Sequence, residues 1–95
     1  MGGDGHIAGI LPNSIAAQES DLLVCGYPSD PFYRITTTFK ALKHMNEAYC
    51  FAYGESKRTA LINLQSNFDV QIQPAQILKD IHQSYVFNDQ IGEAS

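Results

Sequence analysis

Two short stretches of this chain carry side chains able to act on a substrate. The first is Asp4-Gly5-His6, preceded by Gly2 and Gly3. A carboxylate two residues from an imidazole can hold the ring in one tautomer or tune its basicity, and the glycines leave room for a substrate beside it. His6 is then the candidate acid–base group and Asp4 its partner, with Gly3 and Gly5 as the backbone that lets a ligand approach. Asp-Gly and Gly-Gly are also common turn formers, so taken alone this spacing suits an ordinary surface turn with a solvated histidine better.

The second stretch is Gly54-Glu55-Ser56-Lys57. It follows an apolar run and opens a helical pattern, so its N–H groups point outward from a helix start, where the dipole favours an anion. Lys57 adds a mobile positive charge one turn in, and with Gly54 this makes a phosphate cradle without any basic patch. The plainer alternative is that Glu55 or Ser56 caps the helix and Lys57 is solvated. Arg34 is a third candidate, because a cation inside a strand-like run needs an anionic partner if its head is covered and is uninformative at an exposed edge.

The elements that must position these groups follow from periodicity and punctuation. Residues 1–6 read as a loop and Leu11-Pro12-Asn13-Ser14 as a turn or helix stop. The run 21–26 reads as a short buried strand ended by Gly26, and 33–38 as a second strand after the turn chemistry of Tyr27-Pro28-Ser29-Asp30-Pro31. Residues 39–45 look helical. The nearly all-apolar Ala48-Tyr49-Cys50-Phe51-Ala52-Tyr53 predicts a strand covered on both faces, as in a parallel sheet. A helix over 55–65 follows, with Ala60, Leu61 and Leu64 on one face. Pro74 suits the first position of another helix striped by Ile77, Leu78 and Ile81, 84–88 is a last strand, and the tail after Asp89 is expected to fray. This alternation points to an α/β layer with parallel strands and right-handed crossovers.

Composition limits what such a site acts on. The 95 residues make one small domain or part of a larger one, and 44% hydrophobic with 17% charged residues predicts a packed core. Six Lys+Arg against ten Asp+Glu give a net charge of −4 with no basic run, which argues against nucleic acid or an anionic membrane as partner. No apolar stretch approaches the roughly 20 residues that span a bilayer, and no charged-then-apolar leader opens the chain. Cys25 and Cys50 form no CxxC and sit in apolar surroundings, which fits buried thiols in a reducing cytoplasm. HExxH, GxSxG, GxxxxGK[ST] and GxGxxG are all absent. His44 and His82 have no ligand-like spacing to each other or to His6 and read as half-exposed helix residues, so no metal is expected.

The residues gathered so far fall in the order of a known superfamily. Met1-Gly2-Gly3-Asp4-Gly5-His6-Ile7-Ala8 followed by Leu11-Pro12 resembles the Gly-x-Gly-x-Asp-Gly-His-x-Ala segment of the 6-phosphogluconolactonase and glucosamine-6-phosphate deaminase/isomerase superfamily. Arg34-Ile35-Thr36-Thr37-Thr38 is similar to its Arg-Ile-Thr strand, and Gly54-Glu55-Ser56-Lys57 before Ala60-Leu61 to its Gly-x-x-Lys-x-x-Ala-Leu helix start. Pro74-Ala75-Gln76-Ile77-Leu78 resembles its late Pro-Ala-Ser-x-Leu turn. Four ordered matches across nearly the whole chain are far more specific than any one of them.

The resemblance implies an α/β three-layer parallel-sheet fold of the glucosamine-6-phosphate deaminase/ribose-5-phosphate isomerase kind, acting on a phosphorylated sugar without a cofactor. It implies His6 as general acid/base, Asp4 as its neighbour, Lys57 with its helix start as holder of the phosphate, and Arg34 as an electrostatic contributor. The deaminase branch resembles His-Ile-Ala-Phe-Asn-Glu-Pro, with a carboxylate five residues after the histidine; here that position is Leu11, which cannot move a proton. Lactone hydrolysis is therefore favoured, with amino-sugar isomerisation and non-catalytic sugar-phosphate binding as the alternatives. The superfamily is usually well over twice this length, so residues 1–95 are expected to be the C-terminal portion of one such domain, truncated at its N-terminus. Half a sheet would leave an apolar edge open to self-association.

Overall fold

A computed structural model describes residues 1–92. Short helices and strands alternate in the order α1 (Ile15–Gln18), β1 (Val24–Pro28), β2 (Tyr33–Thr37), α2 (Phe39–Lys43), β3 (Glu47–Ala52), α3 (Arg58–Leu64) and β4 (Gln83–Asn88). A 3₁₀ turn, Glu55–Lys57, leads into α3, and a 3₁₀ helix, Pro74–Asp80, precedes β4 with Pro74 in its first turn, where a missing N–H costs nothing. The helix starts are capped by hydroxyls: Ser14 Oγ accepts from Ala17 N and Thr38 Oγ1 from Ala41 N.

The strands do not all run parallel. β3 and β4 do, with Tyr49 opposite Tyr85 and Phe51 opposite Phe87, and the connection between them carries α3. β1 and β2 instead form an antiparallel hairpin, a correction to the all-parallel expectation. Only Ser29–Phe32 separate these two strands, and so short a loop can reverse the chain but cannot make the crossover that a parallel pair needs. α1 was not expected from the turn residues that precede it. His82, read as helical, lies in the bend before β4, and both it and His44 are exposed rather than half-exposed.

The core has two parts, joined by a shared 3₁₀ helix and by Ile7, which packs against both. Ile10, Ala16, Ala17, Cys25, Tyr27, Phe39, Leu42 and Ile77 pack around the hairpin, while Cys50, Leu78 and Ile81, with Leu64 and Val86 beside them, pack on the parallel sheet. The 3₁₀ helix contributes Ile77 to the first and Leu78 to the second. Both cysteines are free and buried.

β3 is covered on one face only. Cys50 and Ala52 point into the core, but Tyr49, Phe51 and Tyr53 are more than half exposed, and this overturns the two-sided burial expected of the strand. The in-register pairing stacks Tyr49 on Tyr85 and Phe51 on Phe87, each with ring centroids 5.3 Å apart, so the bare face is a double row of aromatic rings. The chain beyond β4 is tied down: Gln90 N and Ile91 N donate to Asn88 Oδ1, and Arg58 Nη1 donates to the Gln90 carbonyl. Gln90 and Ile91 are thus held rather than frayed, and residues 93–95 lie outside the described residues.

Candidate active site

The Asp4-Gly5-His6 loop is closed on itself. Gly5 N–H donates to the Gly2 carbonyl and Gly2 N–H to the His6 carbonyl, both at 3.0 Å. Asp4 Oδ1 accepts from His6 N at 3.0 Å and lies 2.7 Å from His6 Nδ1. Both side chains are partly open to solvent, 35% for His6 and 52% for Asp4. Partial burial pushes the Asp4 carboxyl up, but the backbone N–H and imidazole of His6 outweigh it and hold the group below the ordinary aspartate range. An ionised carboxylate only accepts, so the Nδ1 facing it carries a proton, and in the neutral ring Nε2 has the lone pair. Asp4 thereby favours one tautomer of His6.

The glycines serve closeness within the protein. A Cβ on Gly2 would overlap the His6 ring, and one on Gly3 would stand 2.8 Å from the Ser56 carbonyl oxygen. Gly5 alone of the three has a positive φ, +85°. Gly3 thereby lets the loop backbone seat on the helix start.

That contact unites the two chemical stretches, because Ser56 precedes Lys57. Lys57 is half-buried, and among the described residues its amine has no hydrogen-bond or ion-pair partner. Gly54 has φ 97°, a conformation that favours glycine, and a Cβ there would meet nothing within 4 Å. Its N–H donates to Asp89 Oδ1 at 2.9 Å, so the end of β4 already holds this amide. Asp89 went unnoticed in the sequence; it lies far along the chain, and only the parallel pairing of β3 with β4 brings it alongside. A small cavity of about 200 Å³ opens beside the loop, lined by Gly3, Asp4, Asn63 and Phe68 among others.

Arg34 is bonded within its own hairpin. It lies on β2 opposite Tyr27, half-buried, and its Nε donates to Ser29 Oγ at 3.2 Å rather than to an anion. The same hairpin face meets the segment after His6: Tyr27 Oη donates to the Gly9 carbonyl at 2.6 Å and Gly9 N donates to Thr36 Oγ1 at 2.9 Å. No hydrogen bond or ion pair among the described residues joins Arg34 to Asp4, His6 or Lys57. No cluster of three or more His, Cys, Asp or Glu able to hold a metal occurs among the described residues, and no helix there is long and apolar enough to cross a membrane.

Comparison with known proteins converges on one group. A family model described as glucosamine-6-phosphate isomerases/6-phosphogluconolactonase matches residues 1–87. A 6-phosphogluconolactonase of Mycobacterium leprae (strain TN) is 34% identical over 64 residues, covering 64% of this chain and 26% of that protein. Among solved structures, a 6-phosphogluconolactonase from Trypanosoma brucei superposes with a TM-score of 0.75 at 22% identity, covering 94% of this chain and 37% of that one. One from Leishmania guyanensis gives 0.74 at 22% identity, covering 93% and 36%. The likeness to these structures shows the α/β fold of that group. The chain spans about a quarter of the length of the curated relative and just over a third of the solved ones.

Proposed function

Since the chain belongs to the family of glucosamine-6-phosphate isomerases and 6-phosphogluconolactonases, we propose that it serves the hydrolysis of a phosphorylated sugar lactone, 6-phosphogluconolactone, to 6-phosphogluconate. The single observation that carries this reading is Asp4 Oδ1 at 2.7 Å from His6 Nδ1, which leaves Nε2 as a base. In the reaction, His6 Nε2 takes a proton from water as its oxygen bonds to the lactone carbonyl carbon. The imidazolium, held by Asp4, then returns that proton to the ring oxygen as the C–O bond breaks. Lys57 and the amides of its helix start hold the phosphate, Gly3 and Gly5 shape the loop over it, Gly54 sets the helix start, and Arg34 adds positive potential from the hairpin.

Leu11 supports hydrolysis over isomerisation, since the position five residues after His6 has no carboxylate to open a sugar ring. The names of the relatives, all 6-phosphogluconolactonases, point the same way. In this reading residues 1–95 correspond to the C-terminal portion of one such domain. The buried free thiols support a cytoplasmic setting. The bare edges and aromatic face of the β3–β4 sheet support self-association, which sedimentation velocity over a concentration series would register as a rising mass.

The test is acid release from 6-phosphogluconolactone, above the spontaneous rate, by the chain and by His6→Ala. The variant is expected to lose about 10²–10⁴-fold of the acceleration, the range of a positioned acid–base group; equal rates overturn the assignment. Ammonia release from glucosamine 6-phosphate would instead select isomerase chemistry. Phosphosugar binding lost in Lys57→Ala with neither turnover would select a binding role.

A further inference from the structure

Beneath the Asp4–His6 loop lies a pair of buried glutamines. Gln73 is 4% exposed and Gln76 is 7% exposed. Gln73 Nε2 donates to the Ala60 carbonyl on α3 at 2.9 Å, and Gln76 Nε2 has three acceptors, Gln73 Oε1 at 2.7 Å, the Ser66 carbonyl at 2.9 Å and the Asn63 carbonyl at 3.3 Å. Backbone carbonyls only accept, so each amide has one possible orientation, and the Gln73 oxygen must face Gln76. No buried side-chain polar atom among the described residues lacks a partner.

The network ends under Gly5. A Cβ on residue 5 would stand 2.6 Å from Gln73 Cγ, so the glutamine methylene fills the space a side chain would take. Two residues on, Ala75 N donates to the Gly5 carbonyl at 2.9 Å. The residue between Asp4 and His6 is therefore held by one side chain and one amide of the same segment, and that segment is bolted to α3 through Ala60.

We infer that Gln73 is a positioning residue for His6: by fixing Gly5 against α3 it keeps the Asp4 carboxylate and the His6 ring in the mutual geometry that selects the Nδ1–H tautomer. An apolar residue of the same size would fill the space but remove the amide bond to the Ala60 carbonyl and the oxygen that accepts from Gln76, so the link from Gly5 to α3 would rest on packing alone. The bearing of this on turnover rests on the reading of His6 given above; the ring orientation does not.

The experiment is nitrogen-15 NMR of imidazole signals in the 95-residue chain, which has three histidines. His6 is expected in the Nδ1–H form, unlike exposed His44 and His82, which serve as controls. Gln73→Met, close in size but lacking the amide, shifts the His6 tautomer ratio at least threefold toward that of the controls and leaves theirs unchanged. An unchanged His6 ratio in folded Gln73→Met overturns the inference. Should that variant not fold, Gln76→Met decides on the same readout, since it removes the donor to Gln73 Oε1 and leaves the Ala60 bond: a shift in the same direction supports the inference and an unchanged ratio overturns it. Failure of the catalytic reading would show separately, as lactone hydrolysis insensitive to His6→Ala.

Discussion

Gly3 lies so close to Ser56 that a Cβ on residue 3 would stand 2.8 Å from the Ser56 carbonyl oxygen. This backbone contact is the joint between the loop that carries Asp4 and His6 and the helix start that carries Lys57. Its partner is main chain rather than the tip of a flexible side chain, so it cannot yield without moving the helix start. Gly3→Ala is expected to cost about 1–3 kcal/mol, the range of overpacking, and to lower lactone turnover as the two halves of the site part. Urea unfolding and the hydrolysis assay read the two effects; an unaltered midpoint would show that the joint is loose.

Asp4 supplies a pH dependence whose sign is fixed by its lowered pKa. Partial burial works against ionisation, but the His6 N–H and imidazole prevail. A carboxyl with a lower pKa folded than unfolded contributes stability above its unfolded value and loses it as pH falls through the folded one. The contribution is therefore present at pH 7 and begins to go near the ordinary value of 3.8. Asp4→Asn is expected to unfold at lower urea than the parent chain at pH 7, by a small margin because the pair is exposed, and the gap should close as pH falls through the folded value. A gap that persists in acid would assign the effect to something other than charge.

The site was legible in the sequence where its parts are local. Asp4-Gly5-His6 and Gly54 to Lys57 each carry their pattern within a few residues, and the apolar run ended by Gly54 marks a strand feeding a helix. Long-range features were not legible. The direction of the β1–β2 pair depends on how few residues link the strands, and turn residues alone do not exclude a further element between them. The bare face of β3 could not be seen either, because a run of Ala, Tyr, Cys and Phe has the same composition whether one face or two are covered. Gln73 and Gln76 each stand between apolar residues, but so does the exposed Gln71, and no pattern separates buried glutamines from exposed ones. At Gln76 the late turn departs from the serine of the motif it resembles, which was the one available hint.

Lys57 is expected to matter for binding more than for rate. Its amine has no protein partner among the described residues, and a phosphate accepting a charge-assisted bond from it gains about 1.5–3 kcal/mol, or about 10- to 100-fold in affinity. Lys57→Ala should weaken 6-phosphogluconate binding by that factor in calorimetry, with Lys57→Arg retaining most of it. Equal affinity in the alanine variant would place the phosphate elsewhere.

Ile77 joins the two halves of the molecule. It is 0% exposed and packs into the hairpin cluster, while its neighbour Leu78 packs on the parallel sheet, so the 3₁₀ helix is shared by both. Truncating it removes buried methylenes and leaves a cavity that the surrounding Phe39, Leu42 and Tyr27 cannot fill without repacking. Ile77→Ala should therefore cost about 2–5 kcal/mol, a large share of the roughly 5–15 kcal/mol that a domain has in total. Ile62, on α3 but 45% exposed, is the control, and Ile62→Ala should change stability far less. Urea unfolding followed by far-ultraviolet circular dichroism and by tyrosine fluorescence measures both variants. Equal losses at the two positions would mean that Ile77 is not buried as described, and the splice between the clusters would have to be sought elsewhere.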